Sequence, residues 1–563
     1  MDNNIRLILF FGLAFIMLMI WESWNVFLQG KQELAGEYAA QVETTQVPSV
    51  STATNTLPSS GSEVPSALPQ IGSTSSSGIP AASAGSVSSS TQKILAKSDL
   101  YTMEIDTQGG NILKVFLNDY PETLGDTENK FQLLSPLESD LFIARSGLIG
   151  GEGMSAPSHE SQYQAEKSSY QMAENEEHLE VNLNWSGNDG IKVTKRFTFT
   201  RGSYLVTVQH IVENGSGRAW AGREYRELVR SEPEDDGNSK FVYTYTGGAI
   251  YSEAEKYEKI DFGEMSDKTL SREVKGGWIA MLQHYFLGAW VPSVDETNHF
   301  YTNVFAGTRY ILGAYTPGIT VADGGNHTFS TGFVAGPKLQ DELKVIAKGL
   351  DLSVDYGWLT VLAQPIFWLL KSIHGVVGNW GWAIILLTML IKLAFFKLSE
   401  TSYRSMANMR KMTPRIQALK DRYGDDKQRM NTAMMEMYKK EKINPLGGCL
   451  PIVVQIPVFI ALYWVLLESV ELRQAPFILW IEDMSTKDPY FVLPLIMGVS
   501  MFIQQKLNPA PPDPMQAKIM MSLPFVFTIF FAFFPAGLVL YWVVNNILSI
   551  SQQWYITRQI EAA

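Results

Sequence analysis

The chain has 563 residues, of which 46% are hydrophobic and 18% are charged, with a formal net charge of −12. This length allows two or three folding units, and the apolar residues are too unevenly distributed for a purely soluble protein. The negative balance gives no sign of a nucleic-acid partner, and a single cysteine excludes an intrachain disulfide. Class and compartment must therefore be read from the distribution of apolar and charged residues.

Residues 1–28 are predicted to form an N-terminal signal-anchor helix. The stretch RLILFFGLAFIMLMIWESWNVFL is apolar, with Arg6 at its start and Trp21 and Trp24 placed as interfacial residues. A cleaved signal peptide is the alternative, because the strictly apolar run over 7–20 also has the length of a signal-peptide core. No small-x-small cleavage site follows directly, which favours the anchor.

Residues 29–92 are predicted to be a flexible linker. From Thr44 to Gln92 nearly every residue is Ser, Thr, Ala, Pro or Gly. Such a segment cannot bury enough apolar surface to offset the entropy of the chain. It is expected to tether the domain that follows.

Residues 93–350 are predicted to form a large antiparallel β-sandwich. In IKVTKRFTFTRGSYLVTVQHIVEN two β-rich runs flank a turn centred on Gly202, and YTMEIDTQGGNILKVFLND and FVYTYTGGAIYS have the same character. The histidines lack metal-ligand spacing and no nucleophile motif is present, so we expect no catalytic residue, metal or cofactor. A docking or spacer role is favoured, with a sugar-binding cleft as the alternative.

Residues 351–379 are predicted to form an amphipathic helix along the outer membrane surface. Apolar residues recur at helical spacing in YGWLTVLAQPIFWLLKSIHGVVGNWGW, which is rich in Trp. Pro365 is expected to kink this helix, and the glycines over 375–381 are expected to end it. A transmembrane helix is the alternative, which Lys371 and His374 disfavour.

Residues 380–563 contain five further candidate spans, which with the anchor make six transmembrane helices. The spans are placed at about 380–398, 447–467, 490–506, 517–534 and 537–555. Residues 397–442 hold 12 Lys or Arg against 6 Asp or Glu, so the positive-inside rule places this loop in the cytoplasm. Residues 29–379 hold 26 basic and 42 acidic residues and then lie outside, with both termini in the cytoplasm.

The cytoplasmic segment 399–444 is predicted to be a helical hairpin that breaks at Gly424. Its basic residues are placed to meet a ribosome or a membrane surface, and the alternative is that they only set the topology. Its many methionines indicate either an adaptable surface for apolar partners or contact between the two helices.

Four of the spans carry polar residues between their middle and their cytoplasmic end. These residues need an explanation, because a polar atom in lipid must have a hydrogen-bond partner. They are Thr388, Lys392, Gln455, Ser500, Gln504, Gln505, Tyr541, Asn545, Ser549 and Gln552 or Gln553. This asymmetry predicts a hydrophilic recess open to the cytoplasm, whereas a pore needs polar residues along its full length. Each residue also has an explanation that needs no recess. Ser and Thr hydroxyls can bond back to the carbonyls of their own helix, glutamines near a span end can contact lipid headgroups, and Lys392 can snorkel, extending its amine to the inner interface.

The C-terminal part resembles a known family over about 356–556. The segments DDKQRMNTAMMEMYKKEKINPLGGCLPIVVQIPVFIALYWVLLESVELRQAPF and DPMQAKIMMSLPFVFTIFFAFFPAGLVLYW are similar to the YidC membrane protein insertases of Gram-negative bacteria. The resemblance implies five core spans around a cytoplasm-facing groove, a mobile cytoplasmic hairpin and a periplasmic β-supersandwich. It also implies a non-enzymatic function in the inner membrane: inserting and helping to fold nascent membrane proteins, alone or beside the Sec translocon and its accessory subunits, without ATP.

Two positions depart from the family's pattern. Lys392 stands where the family's groove usually has arginine, and it lacks the bidentate fork of that residue. The paired tyrosines at the start of the last span are here Tyr541 and Trp542.

These residues suggest how a client is handled. We expect Lys392 to attract acidic residues in the tail that a client translocates, and the client helix to leave into lipid near Ile456, Tyr541 and Trp542. A solute transporter or channel is one alternative, and it predicts polar residues in the outer halves of the spans. An anchored carbohydrate-processing enzyme is another, and it predicts paired carboxylates in a cleft.

Overall fold

The computed structural model describes residues 92–126, 128–233, 244–306, 308–424, 426–441, 450–508 and 514–562. The predicted signal anchor and the linker up to residue 91 lie outside the described residues. The described chain forms a β-sandwich followed by a group of helices.

The strands of the sandwich are β1 Lys93–Lys97, β2 Tyr101–Asp106, β3 Ile112–Pro121, β4 Lys130–Leu134, β5 Phe142–Gly150, β6 Gln164–Ala165, β7 Ser169–Gln171, β8 His178–Ser186, β9 Ile191–Thr200, β10 Leu205–Asn214, β11 Trp220–Ser231, β12 Gly247–Ser252, β13 Lys256–Ile260, β14 Ser271–Lys275, β15 Trp278–Leu282, β16 Phe286–Val291, β17 Thr297–Phe305, β18 Arg309–Tyr315, β19 Ile319–Val321 and β20 Asn326–Pro337. Strands such as β9 and β10 alternate buried and more exposed residues, as expected with one face on a core, whereas β11, β12 and β15 are buried along nearly their whole length.

Two sheets make up the sandwich. Within the described residues, one has the order β14-β17-β18-β11-β5-β3-β2-β1-β7, with β4 beside β3 and β19 beside β11. The other has the order β13-β12-β15-β16-β20-β10-β9-β8-β6. Buried side chains from both sheets, such as Met103 and Leu228 from the first and Val208 and Phe333 from the second, belong to one apolar core.

The hairpin predicted around Gly202 is confirmed. Strands β9 and β10 pair antiparallel with Phe199 opposite Val206, and Gly202 has a φ of +68°, which glycine adopts without a Cβ penalty. One pairing differs from the predicted antiparallel sandwich, because β1 and β7 run parallel, with Leu95 opposite Ser169. A parallel pair has no tight turn between its strands, so no local sequence signal predicts it.

The helices mostly follow the sandwich in sequence. They are α1 Phe262–Asp267, α2 Gln340–Ile346, α3 Thr360–Val377, α4 Trp380–Ala394, α5 Phe396–Lys411, α6 Thr413–Tyr423, α7 Lys427–Lys440, α8 Leu450–Glu468, α9 Val492–Leu507, α10 Pro514–Phe531 and α11 Ala536–Ala562. A second apolar core holds α3, α4, α8, α9, α10 and α11 together.

Helix length and composition bear on the predicted membrane spans. Among the described residues, Gly357–Val377 is long and apolar enough to cross a bilayer, although this helix was predicted to lie along the membrane surface, so its composition fits the transmembrane alternative. The bent pair of α4 and α5, at the span predicted over 380–398, would make a second span. Shorter apolar helices are Val454–Glu468, Val492–Leu507 and Ala517–Phe531. Helices α8 and α10 adjoin residues outside the described part, so the count of six spans stays a prediction.

The structure differs from the continuous helix predicted over 380–398. Helix α4 ends at Ala394, and α5 continues at a 67° bend. Neither Pro nor Gly marks the bend, but α5 contacts α11, and its buried residues Ser399, Ser402 and Ala407 are small enough for close approach. Packing against α11 therefore sets the direction of α5.

Helix α3 is the helix predicted to lie on the membrane surface. It runs through Pro365 and ends at Gly378, whose left-handed conformation lets its N–H bond back into the last turn. It exposes large apolar side chains over much of its surface, whereas Ala363, Phe367 and Leu370 are buried. The exposed side chains on α3 and the turn before it include Trp358, Val361, Trp368 and Val376.

The loop between α8 and α9 attaches the helices to the sandwich. Arg473 Nη2 donates to the carbonyl oxygens of Pro121 at 2.9 Å and Glu122 at 3.3 Å, and Gln474 Nε2 donates to Pro121 O at 3.2 Å. Val470 in the same loop is buried in the core of the sandwich. The accepting atoms of these hydrogen bonds are all main-chain carbonyl oxygens.

Two further contacts reinforce this junction. His284 Nε2, between β15 and β16, donates to Leu467 O at 2.9 Å. Lys371 Nζ of α3 lies 2.6 Å from the Asp341 carboxylate of α2. The sandwich is therefore bonded to both α3 and α8.

Candidate functional site

Lys392 lies in the last turn of α4, and its side chain is buried. Its Nζ donates to Ser549 Oγ of α11 at 2.7 Å, and the residue is 8% exposed. Lys397, beyond the bend, has a side chain that is 91% exposed. The Lys392 amine is thus bound inside the helix group, and the snorkelling alternative is not the observed arrangement.

Ser549 connects three helices through one hydroxyl. Its Oγ donates to Asn545 O on α11 at 2.7 Å and accepts from Lys392 of α4. The side chain of Tyr403 on α5 is also hydrogen-bonded to it. A serine hydroxyl has one donor and two acceptor positions, so these three bonds satisfy it.

A second polar contact joins α9 to α11. Asn546 Nδ2 donates to Ser500 Oγ at 3.0 Å, and Ser500 Oγ donates to Met497 O at 2.6 Å. Ser500 and Asn545 were predicted from the sequence, whereas Asn546, which is 3% exposed, was not. Asn546 and Gln553 are seven residues apart and share one face of a helix, and this spacing is a signal that could have found it.

The two glutamines near the end of α11 bond to different helices. Gln552 Nε2 donates to Phe396 O at the start of α5, at 3.2 Å. Gln553 Nε2 donates to Leu507 O at 3.2 Å and to Asn508 Oδ1 at 3.1 Å, at the end of α9. The polar residues of α11 therefore occupy two faces, one toward α4 and α5 and one toward α9.

The remaining predicted polar residues are not joined to this set. Thr388 Oγ1 donates to Ile384 O at 2.6 Å, which is the back-bonding alternative of the sequence analysis. Gln455 on α8 and Gln504 on α9 are half-buried, and no hydrogen bond between described residues connects them to Lys392. The structure thus brings together Lys392, Ser549 and, through α11, Ser500, but not the full predicted set.

The residues predicted to contact a client helix lie where α8 meets α11. Ile456 is 40% exposed, whereas Tyr541 is 5% exposed and stacks on Phe459 with ring centroids 5.9 Å apart. The Trp542 ring lies 4.7 Å from Phe459 and 5.4 Å from Phe531. Its Nε1 is buried without a hydrogen-bond partner among the described residues. A buried indole N–H normally has a partner, so Trp542 is an exception within the described residues.

Helices α6 and α7 form the hairpin predicted after the first core helix. Gly424, with a φ of +45°, follows α6, and Arg415 Nη1 of α6 lies 2.7 Å from the Glu441 carboxylate after α7. Exposed basic residues on and beside the hairpin are Arg410, Lys411, Arg415, Arg422, Arg429, Lys439 and Lys440. The hairpin presents positive charge to its surroundings.

A large β-sandwich attached to apolar helices with buried polar contacts defines an integral membrane protein with a substantial extramembrane domain. Residues 93–369 match the family model of the YidC periplasmic domain, and residues 372–563 match that of the 60Kd inner membrane protein. The chain belongs to the YidC family of membrane protein insertases. The family resemblance read from its C-terminal residues is thereby confirmed, and the family is one of insertases, not of enzymes.

Similar proteins cover the chain almost completely. Membrane protein insertase YidC of Methylococcus capsulatus is 48% identical over 99% of both chains. The protein of the same name from Thioalkalivibrio sulfidiphilus is 50% identical over 100% of this chain and 99% of its own. A solved structure described as an active YidC insertase with the first transmembrane domain resolved is 17% identical, with a TM-score of 0.37, and the match covers 83% of this chain and 93% of that chain.

Proposed function

We propose that the protein inserts nascent proteins into the bacterial inner membrane and helps them fold, alone or with the Sec translocon, without ATP hydrolysis. Membership of the insertase family supports the activity. The observation that carries the mechanism is the environment of Lys392: among the described residues its amine bonds to a neutral hydroxyl and to no carboxylate. A buried cation without a counter-ion attracts an anion that can reach it.

The anion is an acidic residue in the short tail that a client translocates. Its carboxylate replaces Ser549 as the partner of Lys392, because two opposite charges attract more strongly in a buried site than an ammonium and a neutral hydroxyl. Other polar side chains line the route of the tail. The proposed groove residues are Thr388, Lys392, Gln455, Ser500, Gln504, Asn545, Ser549 and Gln552.

The client helix leaves sideways into lipid between α8 and α11. Exposed Ile456 is the accessible part of its contact surface, and the aromatic side chains of Tyr541 and Trp542 pack behind it on Phe459. Burying the apolar helix of the client contributes about 25 cal/mol per Å² of apolar surface removed from water. That term supplies the driving force without a nucleotide.

The membrane arrangement follows the charge distribution. Six spans place both termini and the basic hairpin of α6 and α7 in the cytoplasm, where the exposed basic residues meet a ribosome or anionic lipid. The sandwich is periplasmic, and α3 lies on the outer membrane surface. The family's periplasmic-domain match over residues 93–369 supports the side assigned to the sandwich.

Insertion into liposomes tests the electrostatic step. With a client whose translocated tail is acidic, we expect Lys392→Gln to lower the insertion rate about tenfold, which corresponds to about 1.4 kcal/mol, and Lys392→Arg to retain it. A matched client with a neutral tail is the control and should be inserted equally by all three proteins. Equal rates for Lys392→Gln and wild type with the acidic tail would exclude the role of the charge.

A further inference from the structure

The loop between α8 and α9 presents an apolar tip. Residues 475–481, with the sequence APFILWI, contain no charged side chain, and the indole N–H of Trp480 donates to Asp488 Oδ1 at 2.9 Å. At the tip Ile478 is 44% exposed and Leu479 is 80% exposed. Exposed neighbouring apolar side chains of this size are unfavourable in water.

The tip is held in a strained turn. Leu479 has a φ of +56°, and the turn is closed by Ile481 N donating to Ile478 O at 3.2 Å. A branched residue in the left-handed region is disfavoured compared with Gly or Asn. The chain thus has a large apolar side chain where an aqueous turn would have glycine or asparagine.

The base of the loop is fixed to the start of α4. Asn379 Nδ2 donates to the carbonyl oxygens of Pro476 at 3.1 Å and Phe477 at 3.2 Å. The Phe477 ring packs so closely on Gly381 that a Cβ there would lie 2.0 Å from it. The exposed tip is therefore part of a packed loop.

The tip continues an apolar stripe along α4. Phe477 contacts Trp382 edge to face, with ring centroids 5.7 Å apart. Exposed apolar residues then recur at helical spacing along α4 at Trp382, Leu386, Met389, Leu390 and Leu393. In a family of inner-membrane proteins, such a stripe faces lipid.

The side of the membrane follows from the same loop. Arg473 and Gln474, just before the tip, donate hydrogen bonds to Pro121 of the sandwich. The sandwich matches the family's periplasmic domain. The tip therefore lies at the periplasmic end of the lipid-facing stripe.

We propose that Ile478 and Leu479 are inserted into the outer leaflet, among the lipid acyl chains just below the headgroups. Burial in lipid offsets both the exposure of these side chains and the strain at Leu479. Because the base of the loop is bonded to Asn379 and packed on Gly381, insertion of the tip fixes the depth of the N-terminal end of α4 in the bilayer.

Spin labelling of the full chain in phospholipid nanodiscs tests this proposal. Cys449→Ser removes the single cysteine, and Leu479→Cys then takes a nitroxide. Val294→Cys, in the sandwich, is the matched control because Val294 is apolar and 75% exposed. We expect the label at position 479 to collide with dissolved oxygen far more than with a water-soluble nickel chelate, and the label at position 294 to show the reverse.

Two results would overturn the proposal. Nickel accessibility at position 479 equal to that at position 294 would place the tip in water, and low accessibility to both reagents would mean that protein covers it. Ile478→Cys combined with Leu479→Gly is a second probe, since glycine relieves the strained φ and preserves the turn. This label should also be accessible to oxygen and protected from nickel.

Discussion

Lys392 Nζ and Ser549 Oγ lie 2.7 Å apart, and their hydrogen bond joins α4 to α11 without neutralising the charge of the lysine. The hydroxyl also bonds to Asn545 O and Tyr403, so the amine is bound to an atom that is itself fixed. The amine is thereby stabilised at rest and can still gain energy from an anionic partner.

Ser549→Ala should destabilise the protein more than Ser551→Ala. The first change leaves the buried Lys392 amine without its partner, at a cost of about 1 to 3 kcal/mol. The second removes an exposed hydroxyl on α11 whose one bond within the described part of the chain is to Ile547 O, at 2.8 Å, and it should cost less than about 0.5 kcal/mol. Thermal unfolding of the purified proteins in detergent measures the difference, and equal midpoints would contradict the importance of the bond.

Asn546→Ala should cost more than Asn545→Ala. Asn546 Nδ2 bonds to Ser500 across α9 and α11, and such bonds between membrane helices contribute about 0.6 to 2 kcal/mol. Asn545 provides a main-chain carbonyl to Ser549, which alanine retains. Thermal unfolding again distinguishes them, and a larger loss for Asn545→Ala would mean that its side chain has the greater structural role.

Gly381→Ala and Gly375→Ala should have effects of opposite sign. A Cβ at Gly381 would meet the Phe477 ring at 2.0 Å, and such overpacking costs about 1 to 3 kcal/mol. A Cβ at Gly375 in α3 would have nothing within 4 Å, and alanine improves helix propensity there by up to about 1 kcal/mol. Thermal unfolding in detergent measures both changes, and an unfolding midpoint for Gly381→Ala that equals or exceeds that of the wild type would show that the close packing on Gly381 is unimportant.

The junction between sandwich and helices should weaken in acid through His284. Burial, together with the charges of Lys338 and Arg473 and opposed in part by the hydrogen bond to Leu467 O, lowers the pKa of His284 from 6.5 to about 4. Between pH 4 and pH 6.5, His284 is protonated in the unfolded chain and neutral in the folded chain. The contribution of His284 is therefore complete above pH 6.5 and is lost as the pH falls toward 4, by at most about 3 kcal/mol.

His284→Gln isolates this effect. Glutamine retains an N–H donor for Leu467 O but does not titrate, so the variant should lose less stability than the wild type between pH 7 and pH 4. His178→Gln is the control, because His178 is exposed on β8. Unfolding midpoints measured across that range would contradict the assignment if His284→Gln and His178→Gln followed the same curve.

Local signals predicted much of the fold. The turn at Gly202 and the break at Gly424 depend on the conformational freedom of one residue, so the sequence was sufficient for them. The bend after Ala394 has no Pro or Gly, and it depends on how the small residues of α5 pack on α11. The parallel β1 and β7 pair likewise depends on strands that are distant in the chain.

The sequence predicted most of the polar residues at the site, but not which helix each of them contacts. Helical spacing placed Asn545 and Ser549 on one face, but the rotation of α11 relative to its neighbours decides which residue points at which helix. That rotation directs Asn546 and Gln553 to α9. Tyr541 was expected at a contact surface and is buried against Phe459, because aromatic packing between α8 and α11 is a tertiary property.

The attachment of the sandwich through Arg473 and Gln474 has an evolutionary consequence. Arg473 donates to the main-chain oxygens of Pro121 and Glu122, and Gln474 donates to that of Pro121; every amino acid supplies such an oxygen. Substitutions at position 122 leave the acceptor in place, so the hydrogen bonds tolerate sequence divergence there. The Arg473 guanidinium also lies over the rings of Phe131 and Phe286, and those contacts constrain the side chains at these two positions of the sandwich.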